Sequence, residues 1–422
     1  MIFESRVPVV SLRPKVTLHD YILDAIAKHH PDSVAFIDGG GKSMTFGQVL
    51  QLVDRLSDVF SRLVSAGDVV LICLPNCALY APVCLAFTRI GAVFSPINAA
   101  AKPAELRYQL KESAAKLVVC AGVNLADVRR ALHTDDNVEL LIEDVLAPVI
   151  SEKLHRNEQM LGSLLNSTRH LDPLLQINVN PDQLVALPFS SGTTGLPKGV
   201  MLSHHQLVVP QRLCFNNPSM LPSASEIGDT IVGLLPFAHM FGFLVLCQAL
   251  YRGYTVVCLP KYHPEKLLTI LADYKIRLLY CAPPVVVMLS KSPLVSNYDL
   301  TALRIIYCGA APLSESLFDD MQQRFPNVRY ILQVYGMTEA NMISMTPPIS
   351  VKRIPRSAAG IIPPNVKLKI LAVGTGKMLG TDEAGQICVN GEHIMIGYLN
   401  RPKATSEMID ADGFVHTGTI NP

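Results

Sequence analysis

The stretch Pro188-Phe-Ser-Ser-Gly-Thr-Thr-Gly-Leu-Pro-Lys-Gly-Val200 decides how the rest of the chain is read. An apolar run from Leu184 to Phe189 feeds into it as a buried strand, and Val200-Met201-Leu202 reads as a second short strand leaving it. Between them, within ten residues, stand four hydroxyls (Ser190, Ser191, Thr193, Thr194), three glycines (Gly192, Gly195, Gly199) and Lys198. Glycines let the backbone fold back and aim N–H groups at an anion, and hydroxyls add further donors. Lys198 contributes a mobile point charge suited to phosphate. The Walker spacing, Gly-x4-Gly-Lys-Ser/Thr, is absent, and Pro197 precedes the lysine. The alternative is a plain Ser/Thr/Gly hairpin, although two to five turn residues suffice for one.

Ser190 to Val200 resembles the signature of the adenylate-forming superfamily: acyl-CoA synthetases, 4-coumarate–CoA ligases, beetle luciferases and peptide-synthetase adenylation domains. That resemblance implies that Ser190, Ser191, Gly192, Thr193, Thr194, Gly195 and Lys198 hold the phosphates of ATP. Tyr335-Gly-Met-Thr-Glu339 resembles a second motif of the family at all five positions. It implies that Tyr335 stacks on adenine, Thr338 contacts phosphate and Glu339 binds Mg²⁺, with Gln333, Val334 and Gly336 flanking the nucleotide. Gly309-Ala-Ala-Pro312 follows an apolar strand and precedes a helix, at the edge of an open α/β sheet where ligands bind. On its own that tetrapeptide is an ordinary strand-to-helix turn; by resemblance Gly309, Ala310 and Ala311 flank adenine.

Pro236-Phe-Ala-His-Met-Phe-Gly242 resembles the family's acyl-pocket motif, although a lone histidine in an apolar run is more often a satisfied core residue. The resemblance implies an acyl pocket formed by His239, Met240, Phe241 and Val245, and a catalytic set of Lys198, His239, Thr338 and Glu339. Phe241 stands where coumarate ligases carry a tyrosine that binds the phenol, and Val245 where a serine is usual. Phe241 has no donor for a phenol, so an apolar acid, fatty or otherwise, is expected. Lys261 matches a position the family uses for CoA. The implied reaction joins a carboxylic acid to AMP and then to CoA, with ATP and Mg²⁺ as cofactors. A nucleotide- or acyl-binding protein without turnover, and a luciferase-like oxygenase, are the alternatives.

Composition agrees with this class. A chain of 422 residues exceeds a single ordinary core. Formal net charge is +1 with no long run of either sign, which points away from nucleic acid and anionic membranes as main partners. The apolar stretch Met240 to Leu250 is too short to span a bilayer, and the N-terminus has no signal-type apolar core. Ten cysteines sit mostly inside apolar runs without zinc-ligand spacing, as reduced core thiols do. A cytoplasmic location is expected, with a peroxisomal address on a fuller form as the alternative.

Along the chain, Thr17-Leu-His-Asp20 reads as a helix start, with Leu18, Ile22 and Ile26 on one face. Gly39-Gly-Gly41 between two apolar runs reads as a hairpin turn, and Val49 to Leu63 as a long amphipathic helix. Strands at Val69–Leu74, Ala92–Phe94 and Lys116–Cys120 alternate with helices at Ala78–Ile90 and from Pro103, the pattern of a parallel, doubly wound sheet. Asp172-Pro173 and Asn180-Pro181-Asp182 read as a connection. The alternation resumes with strands at Thr230–Leu235, Thr255–Leu259, Leu278–Cys281 and Leu303–Cys308, and helices at Pro264–Tyr274 and Leu313–Phe325. After Gly360, short strands with glycine turns indicate a small β-barrel-like subdomain. The expected fold is therefore α/β: two doubly wound sheets plus a small β unit, one adenylation domain with approximate subdomains 1–180, 181–355 and 356–422.

The resemblance runs from about Ile2 to Gly418. Family members continue His-Thr-Gly-Asp, the aspartate holding both ribose hydroxyls; here the chain reads His416-Thr-Gly-Thr419. The family's smaller C-terminal lid domain, roughly a hundred residues, is expected to be absent. On that expectation the chain binds ATP weakly and does not complete the ligase reaction.

Overall fold

A computed structural model describes residues 1–132, 138–143, 154–167, 178–190, 195–222, 228–348, 354–356 and 358–421. The expected Asp172-Pro173 connection lies outside them. The largest sheet has nine strands. Its centre is parallel, in the spatial order Leu184–Ala186, Val93–Pro96, Val69–Cys73, Leu117–Ala121, Glu139–Glu143, Glu158–Met160. Strands such as Val-Val-Leu-Ile-Cys are apolar at every position because helices cover both faces. On one edge Lys198–Ser203 runs antiparallel to Leu184–Ala186, and Phe189–Ser190 and Gly397–Tyr398 pair antiparallel with it.

The apolar run into the opening stretch is thus two strands, not one. Pro188 has no N–H to donate, so the ladder breaks there; its carbonyl still accepts from Val200 N at 2.8 Å. The strand leaving the stretch is longer than Val200–Leu202 and begins at Lys198 itself.

A second sheet joins Thr230–Gly233, Thr255–Cys258, Val34–Ile37 and Ser43–Thr45. The last two form the expected hairpin, closed by Asp38 N donating to Lys42 O at 2.8 Å, with Gly41 at φ +81°. A third sheet sets Leu278–Cys281, Ile305–Cys308 and Tyr330–Met337 parallel, with Asn341–Met345 antiparallel on its edge. Helices Pro264–Asp273, Pro283–Lys291 and Glu315–Arg324 pack on it around Leu267, Leu289, Leu317 and Met321. The β-rich unit is an antiparallel sheet in the order Ile2–Glu4, Lys367–Leu371, Gly385–Asn390, Val415–Asn421.

Sheets draw strands from both sides of residues 180 and 355. Val34–Ile37 pairs with Thr255–Cys258, and Ile2–Glu4 pairs with Lys367–Leu371. Thr17 caps the helix Leu18–Ile26 by accepting from Asp20 N at 3.2 Å, and Thr45 and Gln48 form a capping box on Phe46–Ser61. All ten cysteines are buried and unbridged. Among the described residues, no helix is long and apolar enough to cross a membrane.

Candidate active site

The opening stretch folds as a hairpin whose two sides are Phe189–Ser190 and Lys198–Ser203, with Ser190 opposite Lys198 in register. Its far side is held by Tyr108, whose hydroxyl donates to Pro197 O at 2.8 Å. Gly195 sits at φ +125°, a region closed to residues with a Cβ. Ser191, Gly192, Thr193 and Thr194 lie outside the described residues. The Lys198 ammonium stands 4.9 Å from the centroid of the Tyr398 ring.

Glu339 lies in the turn between Tyr330–Met337 and Asn341–Met345, and only 3% of its surface is exposed. Asn341 takes φ +46° to close this turn. A Cβ on Gly336 would lie 2.0 Å from Asn341 O, so only glycine allows so tight a return. A buried carboxylate needs partners. Ser190 Oγ donates to Glu339 Oε1 at 2.6 Å and the Tyr398 hydroxyl donates to the same oxygen at 2.8 Å. Burial, and then the Glu339 charge, push the Tyr398 phenol far above its usual range, so it remains a donor. Ser190 and Glu339 are 149 residues apart in sequence.

Gly309 ends the strand Ile305–Cys308, its N–H donating to Cys281 O at 3.1 Å. A Cβ there would meet the Phe241 ring at 3.0 Å and Val334 O at 3.1 Å. Ala310 adopts φ +74°, a left-handed conformation costly for an L-residue, and Ala310 and Ala311 are exposed. Gln333 has its side chain engaged by the protein: Oε1 accepts from Leu313 N at 3.1 Å, and Nε2 donates to Arg356 O and Ala358 O. It fastens the turn after Gly309 to the segment beyond residue 354 rather than facing the cleft. The Tyr335 hydroxyl donates to Thr419 Oγ1 at 2.8 Å.

His239 caps the helix Met240–Arg252, with Nδ1 accepting from Phe241 N at 3.3 Å. The ring keeps an open surface, yet the surrounding protein lowers its pKa by desolvation, favouring the neutral form. The loop before it is clamped by buried Asn76, which donates to Gly233 O and Leu235 O and accepts from Phe237 N. A Cβ on Gly242 would lie 2.1 Å from Pro236 O, so glycine permits the sharp entry into the helix. His239, Met240 and Phe241 then line a small cavity of about 50 Å³ with Leu244, Gly309, Ala310, Val334, Gly336 and Thr338. Met337, Asn341 and Met342 complete its wall.

Residues 23–399 match the family of AMP-binding enzymes. The chain belongs to that family. Over its whole length this AMP-binding enzyme is 34% identical to 4-coumarate–CoA ligase 1 of Arabidopsis thaliana, covering 75% of that relative. Among solved structures it resembles a long-chain-fatty-acid–CoA ligase from Archaeoglobus fulgidus, with a TM-score of 0.83 and 28% identity over 99% of this chain and 83% of that one. It also resembles a red-emitting luciferase from Phrixothrix hirtus, with a TM-score of 0.81 and 26% identity over 99% of this chain and 76% of that one.

Of the residues singled out in the sequence, the structure brings Ser190, Lys198 and Glu339 to one point. It sets Gly309, Ala310, Val334, Gly336, Thr338, His239, Met240 and Phe241 around one recess. Val245 is buried in the core and does not line that recess. Lys261 is exposed beyond the strand Thr255–Cys258. Tyr398 and Asn76 were not legible. Tyr398 sits on a two-residue strand, too short for any periodicity, and the signal available was the Gly397-Tyr398 pair after an apolar run.

Proposed function

We propose that this chain activates a carboxylic acid with ATP for transfer to CoA. A carboxylate oxygen attacks the α-phosphorus of ATP, the bond to pyrophosphate breaks, and its electron pair leaves with pyrophosphate. The thiolate of CoA then attacks the acyl carbonyl and AMP departs. The observation that carries the reading is the convergence of Ser190, Lys198, Glu339 and Tyr398 beside a cavity floored by the Gly309 turn.

In this reading the hairpin and Lys198 bind the phosphates, and Tyr335 with Gly309 to Ala311 seats the adenine. Thr338 donates to phosphate. Thr419, beside Tyr335, takes the position next to the ribose. Glu339 suits a magnesium ion: both hydrogen bonds fall on Oε1, and among the described residues none reaches Oε2. Mg²⁺ is usually held by one or two carboxylates together with water and substrate phosphates, a role one carboxylate such as Glu339 can fill. When bound, the ion neutralises charge that builds on the phosphates.

The acid enters the recess at His239. Met240, Met337 and Met342 give it an apolar, adaptable wall, and a volume of about 50 Å³ requires these flexible side chains to yield to anything beyond a few carbons. Phe241 favours an apolar acid over a phenolic one. Lys261 is assigned to CoA from its place in the sequence. The test titrates Mg-ATP into wild type and Glu339→Gln by calorimetry. Acid-dependent pyrophosphate exchange is measured in the same pair extended with the remaining part of the Arabidopsis relative. Exchange should fall on the order of a hundredfold in the variant, the scale of removing one preorganised electrostatic group. Near-wild-type exchange removes Glu339 from the mechanism.

A further inference from the structure

The last strand, Val415–Asn421, is not paired evenly with its neighbour Gly385–Asn390. Cys388 lies opposite His416 and Gln386 opposite Ile420, so Thr417, Gly418 and Thr419 together face Ile387 alone. Such a bulge bends a strand and re-aims a side chain. Gly418 takes φ +70°, the left-handed region open to glycine. Where the ladder is interrupted, one hydroxyl takes over: Thr417 Oγ1 donates to Ile387 O at 2.9 Å and accepts from Thr419 N at 3.1 Å. Thr419, at the end of the bulge, receives the Tyr335 hydroxyl at 2.8 Å.

The strand before the bulge is fastened by a charged cluster. Lys369, Cys388 and His416 stand in register on three adjacent strands. Lys369 is only 5% exposed, and a buried ammonium needs a partner. Asp410 supplies it: Oδ2 lies 2.7 Å from Lys369 Nζ and 3.2 Å from His416 Nε2. Its other oxygen, Oδ1, accepts from Asp412 N at 3.0 Å and Phe414 N at 2.9 Å, closing the turn into the strand. His416 Nδ1 reaches Gln386 Oε1 at 3.2 Å. With both ring nitrogens of His416 held, the strand cannot slip along Gly385–Asn390 without breaking these bonds.

Neither Thr417 nor Asp410 lines the recess beside Thr338. We infer that Thr417 is a positioning residue for nucleotide: its hydroxyl holds the bulge that sets Thr419 against Tyr335, while Asp410 anchors the strand behind it. This rests on the reading of Tyr335 as the adenine seat. A phenol ring tethered at its hydroxyl has less freedom to lose when a base stacks on it. The cost of a loosened bulge therefore falls on the nucleoside half of ATP and not on the phosphates, which the hairpin at Lys198 holds in the same reading.

The experiment titrates Mg-ATP and magnesium tripolyphosphate into the whole chain by calorimetry. The proteins are wild type, Thr417→Val, Thr417→Ser, and Tyr335→Phe with and without Thr417→Val. Thermal unfolding checks that each is folded; Asp410→Asn, with the same expectation, is read in place of a Thr417→Val protein that is not. Thr417→Val keeps the branched shape and removes the hydroxyl. Its ATP affinity should fall about fivefold, the scale of one neutral hydrogen bond, with tripolyphosphate affinity unchanged. Thr417→Ser keeps the hydroxyl and should bind ATP as wild type does. In the Tyr335→Phe background, where Thr419 has no phenol to receive, Thr417→Val should cost nothing further. Equal ATP affinity in wild type and Thr417→Val overturns the inference, as does an equal loss for ATP and tripolyphosphate, which marks a general disturbance of the cleft. A full effect of Thr417→Val in the Tyr335→Phe background overturns it too. A wild type that binds ATP no better than tripolyphosphate is a different failure: it removes the adenine seat itself, and this inference with it.

Discussion

At the residue scale the site turns on how one buried carboxylate is held. Glu339 has two donors on one oxygen, and both come from elements remote in sequence. Tyr398→Phe removes one donor and leaves the ring over which Lys198 sits. A hydrogen bond to a charged group contributes about 1.5–3 kcal/mol, so Mg-ATP affinity should fall at least about tenfold. Calorimetry checks this, and an unchanged affinity would mean that Tyr398 does not orient Glu339. Phe241 bears on specificity instead. Its ring lies against Gly309 and edge-on to Tyr280 at 6.3 Å. Phe241→Tyr adds a donor to the recess and should shift preference towards hydroxylated aromatic acids by about tenfold, roughly one hydrogen bond. Identical competition profiles for the two proteins would take Phe241 out of the acyl wall.

At the scale of elements, glycines without φ strain do the positioning. Gly242 is inside the first turn of Met240–Arg252, where a Cβ would collide with Pro236 O. Gly242→Ala must push the helix away from the loop that Asn76 clamps, and His239, Met240 and Phe241 move with it. Overpacking against backbone should cost about 3 kcal/mol or more. The urea midpoint reports that loss, and competition between acids reports the displaced recess. A variant with both unchanged would show that this helix start has room to shift. The hairpin Tyr330–Met337 with Asn341–Met345 depends likewise on Gly336, at a register shift between Tyr335 and Gly336.

Across the whole molecule, buried histidines tie distant segments together and make stability depend on pH. His19 lies in the first turn of the helix Leu18–Ile26, His204 begins His204–Pro210, and their rings meet edge to face at 5.4 Å. His204 Nδ1 accepts from Leu18 N at 3.1 Å, a bond that protonation there would break. His393, near the β-rich unit, is fully enclosed with both ring nitrogens unpartnered among the described residues. Burial pushes these pKa values from 6.5 down to about 4 for His19, about 3 for His204 and about 4 for His393. As pH falls below 6.5 the unfolded chain takes up protons that the native one refuses, so stability falls. That loss continues until the native groups titrate near pH 4 and below. At about 1.4 kcal/mol per pKa unit, the three together weaken the fold by several kcal/mol between pH 7.5 and 4.5. Urea midpoints across that range check the slope, and His204→Gln should flatten it. An equal slope in the variant would assign the acid sensitivity elsewhere.

What the chain settles by itself is local. The capping residues Thr17 and Thr45, the Gly41 turn and the alternation of strands and helices were all legible, because turn chemistry and periodicity act over a few residues. Strand length near the opening stretch was less so, since Pro188 interrupts a ladder whose partner is not next to it in sequence. Only the tertiary structure decided that Val34–Ile37 joins Thr255–Cys258, that Ile2–Glu4 joins Lys367–Leu371, and that Tyr398 reaches Glu339. It also decided that Gln333 clasps backbone and that Val245 packs in the core. Any apolar strand can bury its faces against many others. The choice among partners comes from global packing, where the burial of all faces at once, and not the pattern of any one segment, lowers the free energy.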